Sequence, residues 1–259
     1  MPVKRVPPLS DLDLHRAFLE NRRVAVQSAG GGVFEERDGW QLYDSGTGLD
    51  GLNQAMAIGT LPAMEDLELV AEWYRARGTG YCLVLRDSDD WQLISSARES
   101  GFRLERSQPV MTRRLPCPAL AIPGLALQAV EGPAAAREFL AVRRDPTKIR
   151  PPDDTETDFI LRVVRAGTFR YFVAELDGKA VGTVTSSLAG EIAIIANLFV
   201  VPANRRRGLG ADITARAAAS WPEANHVALE ASREGAMLYA SMGFERRYSY
   251  VRLVPSEAT

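Results

Sequence analysis

The sequence has few of the residues that build metal sites and disulfide frameworks. Its 259 residues include two histidines and two cysteines, and the cysteines, Cys82 and Cys117, form no CxxC motif. The sequence therefore argues against a catalytic metal held by histidines, a structural zinc site and a disulfide framework. Because disulfides are typical of oxidising compartments, we expect a cytoplasmic protein.

Long apolar runs and an excess of one charge are also absent. No apolar run approaches the roughly 20 residues of a membrane-spanning helix, and the proline-rich residues 1–9 lack the apolar core of a signal peptide. The net charge is −2, whereas a dominant nucleic-acid role usually requires a strong basic excess. We expect neither a membrane nor a nucleic acid among the partners of this chain.

What is present is the composition of a globular protein, with 46% hydrophobic and 25% charged residues. The length suffices for one large domain or two modest ones. Residues 116–123 contain three prolines, which indicate a linker between domains. The sequence thus predicts a first domain over residues 1–115, a linker over 116–124 and a second domain over 125–259.

The first half shows a mixture of helical and strand-like patterns. Helices are predicted over residues 9–22, 64–75 and 90–100, and strands over 24–28, 33–36, 40–44 and 81–86. The run Ala29-Gly30-Gly31-Gly32 is interpreted as a hairpin turn. A phosphate-binding loop is the less favoured alternative there, because no helix follows the glycines.

The second half has a clearer pattern, in the order βααβββαβαβ. Strands are predicted over residues 125–130, 171–175, 180–187, 191–201, 227–231 and 247–254, and helices over 133–144, 153–165, 208–220 and 234–241. Helices alternate with strands only late in this order. The pattern predicts an α/β (α+β) fold whose mixed sheet is largely antiparallel and flanked by helices.

A faint repeat links the two halves. Gly101-Phe102 follows a predicted helix and precedes a strand over residues 110–115, and Gly243-Phe244 likewise precedes a final strand. This match of helix end, Gly-Phe and last strand favours a duplication of one unit over chance similarity.

The segment 200–210 carries the functional argument. Pro202 ends a strand, and Gly208 and Gly210 leave room for a ligand to approach the backbone. The helix that begins there presents free N–H groups and a positive dipole end. Three consecutive arginines, Arg205, Arg206 and Arg207, add positive charge. Together these features predict an anion site suited to a pyrophosphate, and the alternative is a basic turn without a ligand.

The residues after Gly210 exclude two other kinds of phosphate-binding loop. A P-loop requires Gly-Lys and then Ser or Thr, but Ala211-Asp212 follows Gly210. A dinucleotide fingerprint requires a third small residue where Ile213 stands.

The same segment resembles the signature of the GCN5-related N-acetyltransferase (GNAT) family. That signature is a strand, then Val-x-Pro-x-x-Arg-x-x-Gly-x-Gly from Val200 to Gly210, and then a helix. A second family element is present as Leu238-Tyr239 followed by Gly243-Phe244. The whole chain resembles tandem members of the family, in which a degenerate N-terminal copy precedes a working one. The resemblance therefore implies two tandem GNAT-like domains.

The resemblance implies acetyl-CoA as cosubstrate and no metal. The pantetheine arm would pair with the backbone of Leu198, Phe199 and Val200 as an added strand. The Val200 N–H would also polarise the thioester carbonyl. The residues implied for the pyrophosphate are Arg205, Arg206, Arg207, Gly208, Leu209 and Gly210. Tyr239 would contact the cosubstrate and protonate the departing thiolate as general acid.

Two positions depart from the family pattern. The strand before the loop has no carboxylate in its middle, where many members carry a glutamate as base. Asn197 is able to orient a water there, and Glu191 and Glu230 are the candidate carboxylates, with solvated edge positions as the alternative reading. Arg233 stands where many members have asparagine, and it contacts a phosphate or faces water.

The first half lacks the glycine and tyrosine residues that productive CoA binding requires. Its best loop candidate, residues 54–59, has Ala57 where the first glycine is required, and Ala97 aligns with Tyr239. We predict that this half covers the sheet of the second half and forms one wall of the acceptor pocket.

The leading hypothesis is acetyl transfer from acetyl-CoA to a primary amine of a small molecule, by direct attack in a ternary complex. Cys82 and Cys117 lie outside the second half and give no support to an acetyl-cysteine route. The alternatives are a hydroxyl, a protein lysine or an N-terminus as acceptor, and a non-catalytic acyl-CoA-binding or sensing module. Both a monomer and a homodimer fit the sequence.

Overall fold

A computed structural model describes residues 8–28, 30–46, 52–59, 66–143 and 154–256. The helices are α1 Asp11–Ser28, α2 Asp66–Arg75, α3 Trp91–Glu99, α4 Pro133–Arg143, α5 Asp154–Arg165, α6 Leu209–Ala219 and α7 Arg233–Ser241. The strands are β1 Val33–Arg37, β2 Trp40–Asp44, β3 Gln54–Ala57, β4 Cys82–Arg86, β5 Phe102–Arg114, β6 Leu125–Ala129, β7 Phe169–Leu176, β8 Lys179–Ala189, β9 Ile192–Val200, β10 His226–Glu230 and β11 Glu245–Pro255. None of the helices in these ranges is both long and apolar enough to cross a bilayer.

All strands belong to one sheet in the order β1-β2-β3-β4-β11-β5-β10-β9-β8-β7-β6. Only β3–β4 and β9–β10 pair in parallel, and the other neighbours are antiparallel. The prediction of a mixed α/β fold with a largely antiparallel sheet is confirmed, and the second half has the predicted order βααβββαβαβ.

The two halves exchange their final strands. β5, the last strand of the first half, pairs with β10, and β11, the last strand of the second half, pairs with β4. β5 and β11 pair with each other at the centre of the sheet. Because the sheet runs through both halves without a break, the division at residues 116–124 stays a prediction.

Helices cover both faces of this sheet. α6 packs on β8 and β9 through an apolar side that includes Ile213 and Ala217. On the opposite face, α4 and α5 pack on β7, and α1 of the first half packs across β8 and β9. Leu14 and Phe18 of α1 share one buried cluster with Ile194 of β9, so the first half contributes directly to the core of the second.

Two local predictions for the first half are wrong. Residues 24–28 continue α1, because Val26 is buried in the same apolar cluster as Leu14 and Phe18 while Val24 packs against the cluster that includes Ile160 of α5, and this packing outweighs the strand preference of valine. The glycines that follow thus join a helix to a strand, not two strands. Residues 54–57, interpreted as a loop, form the fully buried strand β3.

Several predicted segments fall partly outside the described residues. They are Ala29, residues 64–65, Arg144, residues 151–153 and most of the proline-rich residues 1–9.

Candidate active site

The pairing of β9 with β10 ends just before a bulge in β9, and we call the gap beyond that point the cleft. The two strands pair from Ile192 opposite His226 to Ile195 opposite Leu229. Beyond that point Asn197 has a φ of 55°, and the register between β8 and β9 shifts by one residue. A bulge of this kind bends its strand. Residues 196–200 therefore continue along β8, and among the described residues no strand pairs with their other edge.

The register decides which backbone groups face this cleft. The Val201 N–H donates to the Val181 oxygen at 2.8 Å, on the β8 side. Because backbone groups alternate in direction along an antiparallel strand, the N–H and C=O of Val200 and Leu198 point towards the cleft. The N–H and C=O of Phe199 point instead towards Thr183 of β8, with which Phe199 pairs. The backbone groups of the strand that face the cleft thus belong to Leu198 and Val200, and the Val200 oxygen accepts a hydrogen bond from Arg205 Nε at 3.0 Å.

The loop after β9 presents a row of backbone amides. A short 3-10 turn, Pro202–Asn204, follows the strand, and Arg206 and Gly208 then take positive φ values of 62° and 78°. Among the described residues, the backbone N–H groups of residues 206–210 have no backbone acceptor. Free amides at the start of α6, with the positive end of its dipole, fit a bound diphosphate.

The six residues predicted to hold the pyrophosphate lie together in this loop. The side chains of Arg205, Arg206 and Arg207 are exposed, whereas Leu209 is buried in the core. At Gly208, a Cβ atom would lie 2.8 Å from Leu120 Cδ1, in addition to the strain of the positive φ. Leu120, in the predicted linker, therefore lies directly against the loop.

The buried carboxylate of Asp212, which pairs with the partly exposed Arg216, fixes the predicted linker to α6. The Asp212 carboxylate accepts the N–H groups of Ala121 at 3.1 Å and Ile122 at 3.0 Å, and the Arg216 guanidinium at 3.0 Å. Arg216 also donates to the Leu125 oxygen at 2.7 Å. Burial opposes ionisation of Asp212, but these hydrogen bonds outweigh it and lower its pKa. The linker is thus part of the site's scaffold.

Tyr239 lies on α7 and is 6% exposed. Burial raises its pKa to about 12, and a hydrogen bond with Thr214 of α6 offsets part of that increase. Thr214 in turn donates to the Gly210 oxygen at 2.8 Å. The phenol therefore keeps its proton at neutral pH and is tied to the helix that begins at the phosphate loop.

Asn197 lies at the bulge, at the mouth of the cleft. Its side-chain amide donates to the Thr185 hydroxyl at 3.1 Å. Its backbone carbonyl oxygen accepts from Thr183 and from Arg143, each at 3.2 Å. The residue is exposed, so its amide oxygen is accessible to water.

The two candidate carboxylates lie at different ends of the sheet. Glu230 ends β10 and forms an ion pair with Arg22 of α1, and both side chains are largely buried. Arg22 also donates to Gln54 of β3 at 2.6 Å. Glu191 is exposed at the start of β9, away from the cleft. Among the described residues, no three His, Cys, Asp or Glu side chains are placed to hold a metal ion.

Arg233 is exposed at the first position of α7. Ser232 caps that helix by accepting the Gly235 N–H at 3.0 Å. The arginine thus extends from a helix N-terminus into solvent.

Sequence reasoning missed Thr214, Arg22 and Arg143. Thr214 stands four residues after Gly210 in the helical pattern, and that spacing places it one turn above the loop. Arg22 and Arg143 reach the cleft from distant helices, and no local pattern in the sequence indicates those contacts.

Comparison with known proteins agrees with this geometry. Residues 167–246 match the family model of the acetyltransferase (GNAT) domain. The structure is similar to a GCN5-related N-acetyltransferase from Kribbella flavida, with a TM-score of 0.69 and 17% identity over 93% of this chain and 96% of that one. It is also similar to a tandem GNAT protein from the clavulanic acid biosynthesis pathway, with a TM-score of 0.62 and 13% identity over 96% and 97%.

A third similar structure is a GCN5-related N-acetyltransferase from Sphaerobacter thermophilus, with a TM-score of 0.58 and 17% identity over 85% of this chain and 81% of that one. No protein of curated function matches the sequence. The predicted fold of two tandem GNAT-like units is confirmed.

Proposed function

Because residues 167–246 form a GNAT acetyltransferase domain, we propose that the chain transfers an acetyl group from acetyl-CoA to a primary amine of a small molecule. The observation that carries the proposal is the cleft at the Asn197 bulge. Backbone groups of Leu198 and Val200 in β9 face it, and the loop whose described amides have no backbone acceptor follows directly along the chain.

The cleft and loop suit the parts of acetyl-CoA in order. The amides of residues 206–210 and the exposed arginines hold the pyrophosphate, and Arg233 adds charge from α7. The pantetheine arm pairs with the backbone of Leu198 and Val200, and Phe199 contributes its ring, which lies 5.7 Å from the Arg205 guanidinium.

The chemistry is a direct transfer in a ternary complex. The lone pair of the neutral amine forms a bond to the thioester carbonyl carbon while the Val200 N–H polarises the carbonyl oxygen. The carbon–sulfur bond breaks, and the departing thiolate takes the proton of Tyr239. The surplus proton of the amine passes to water held at Asn197, and Tyr239 is reprotonated from solvent. Glu230 has a positioning role, because Arg22 engages its carboxylate.

A small acceptor is favoured because α1 packs across β8 and β9, which narrows the approach to the cleft from that side. The second candidate function is acyl-CoA binding without turnover. The absence of a carboxylate in the middle of β9 favours it, since no side chain there takes the amine proton directly.

Thiol release from acetyl-CoA, measured with a panel of amines, tests the proposal. We expect Tyr239→Phe to slow release by about 10²-fold while leaving CoA affinity nearly unchanged, because only proton donation is lost. Tyr81→Phe, in the first half, is the matched control and should leave the rate unchanged. An unchanged rate in Tyr239→Phe removes Tyr239 from the mechanism. CoA binding without thiol release for any amine would favour the binding module.

The pH profile gives a separate check on Tyr239. Because burial raises its pKa to about 12, the phenol remains protonated well above neutral pH. We therefore expect the rate to rise with pH as the acceptor amine loses its proton, with no decline up to about pH 10. A rate that falls between about pH 8 and 9 would contradict this role.

A further inference from the structure

The acceptor must reach the cleft from the face of the sheet opposite α6. On the α6 side, the space beside β9 is filled by a buried cluster that includes Leu209, Ile213 and Tyr239. On the opposite side, Asn197 is exposed, and the hydroxyl groups of Thr183 and Thr185 point to it. As far as the described residues extend, an amine is able to approach the thioester from this side.

The positively charged guanidinium of Arg143 lies beside Asn197 on this side of the sheet. Arg143, the last residue of α4, donates from Nη1 to the backbone carbonyl oxygen of Asn197 at 3.2 Å. Its guanidinium carbon lies 5.6 Å from the centre of the Phe139 ring. One hydrogen bond from one nitrogen leaves most of the five N–H donors of this group for another ligand.

No carboxylate of the described residues forms an ion pair with Arg143. Glu230 is already engaged by Arg22, and the charge of Glu156 of α5 raises the pKa of Arg143 by less than burial lowers it. Burial lowers the pKa of Arg143, which means that the folded protein holds this charge at a cost in free energy. A substrate anion would compensate that cost, and a guanidinium pairs with a carboxylate through two parallel hydrogen bonds.

We propose that the acceptor of this enzyme is an amino acid or a related amine with a carboxylate, and that Arg143 binds that carboxylate. The inference rests on the proposed function and specifies its substrate class. With its carboxylate on Arg143, the acceptor directs its amine along Asn197 towards the thioester. Arg143 is thus a specificity-determining residue and takes no part in proton transfer.

The test compares matched acceptors in the thiol-release assay. α-, β-, γ- and longer ω-amino acids are each measured beside their carboxamide and their decarboxylated amine, and rates are corrected for the fraction of neutral amine. We expect at least one amino acid to exceed its carboxamide by about tenfold or more in kcat/KM. Arg143→Met should remove this preference, mainly by raising KM, and leave the carboxamide rate within about twofold. Arg143→Lys should retain part of it, since the charge remains.

Arg137→Met is the control on the same helix, because Arg137 is exposed and pairs with Asp154. Circular dichroism checks that each variant is folded. Equal rates for acids and carboxamides, or equal losses for both in Arg143→Met, would overturn the inference and leave the proposed function standing. Absence of thiol release with every amine would overturn the proposed function itself.

Discussion

At the scale of single residues, the contact between Arg22 and Glu230 joins the two halves at the mouth of the cleft. The residues are 208 positions apart, and their side chains are 17% and 16% exposed. A largely buried ion pair is strongly destabilised when one partner is removed, because the other charge is left uncompensated. The pair therefore couples the stability of the chain to the position of Glu230.

We expect Glu230→Gln to lower the free energy of unfolding by about 3 kcal/mol, since Arg22 loses its counter-charge. Denaturant unfolding measures this change. Glu20→Gln is the control on the same helix as Arg22. Glu20 pairs with Arg23 at a side-chain exposure of 45%, and its loss should change the free energy by less than about 1 kcal/mol.

The same variant separates a positioning role from a base role. If Glu230 only positions the cleft, thiol release by the folded variant stays within about threefold of the parent. A loss of about 10²-fold or more that recovers at high pH would instead identify Glu230 as the general base.

The sequence predicted the residues whose role depends on local spacing. Gly208 and Gly210 stand at fixed positions between a strand and a helix, and Tyr239 stands at a fixed distance from Gly243-Phe244. Arg22 and Arg143 were not predictable, because their partners lie on strands far away in the chain. A single sequence does not specify which distant side chains will meet.

At the scale of elements, the contact between α6 and the linker ties the phosphate loop to the junction of the halves. Asp212 lies in the first turn of α6 and is fully buried, with two linker amides and Arg216 as partners. Leu120 of the linker lies beside Gly208. A displaced linker would therefore disturb the loop as well as the helix.

We expect Asp212→Asn to lower the free energy of unfolding by about 2 to 3 kcal/mol at neutral pH and to raise the KM for acetyl-CoA. Because the pKa of Asp212 is lowered in the folded state, its contribution is present above about pH 4 and is lost as the pH falls below that range. The difference between parent and variant should therefore narrow at about pH 3. Asp158→Asn, at an exposed position of α5, is the control, and an equal loss there would contradict the assignment.

Most elements of the second half were predictable because each has a clear hydrophobic periodicity and ends at a clear signal such as glycine or proline. The wrong predictions lie where packing outweighs local preference. The end of α1 contains valines that favour a strand, yet it is helical because Val26 and Val24 pack in two different apolar clusters. β3 has four residues, two of them alanine, and gives no strand signal because its stability comes from neighbours on both sides.

At the scale of the whole molecule, the sheet is nearly symmetric about the β5–β11 pair. On each side an antiparallel partner comes first and then pairs in parallel with the next strand, and further antiparallel strands follow, two beyond β3 and three beyond β9. This symmetry fits a duplicated unit, as the repeated Gly-Phe and final strand predicted. The exchange of final strands was not predictable, because a strand pattern indicates which face is buried and leaves the choice of neighbour open.

We expect neither half to fold alone, since each would lack a central strand of its sheet. Fragments 1–115 and 116–259, expressed separately, should show no cooperative unfolding. Mixing them should restore it together with thiol release, because the exchanged strands then find their partners. Cooperative unfolding and acetyl-CoA binding by fragment 116–259 alone would contradict this expectation.

The late position of β11 has a consequence for synthesis on the ribosome. β4 and β5 leave the exit tunnel early, but the strand that lies between them is translated only after α7. Until then both strands present unpaired backbone edges, which are the edges that attract other nascent chains. We therefore expect the amino-terminal half to need shielding from other chains until β11 has been translated.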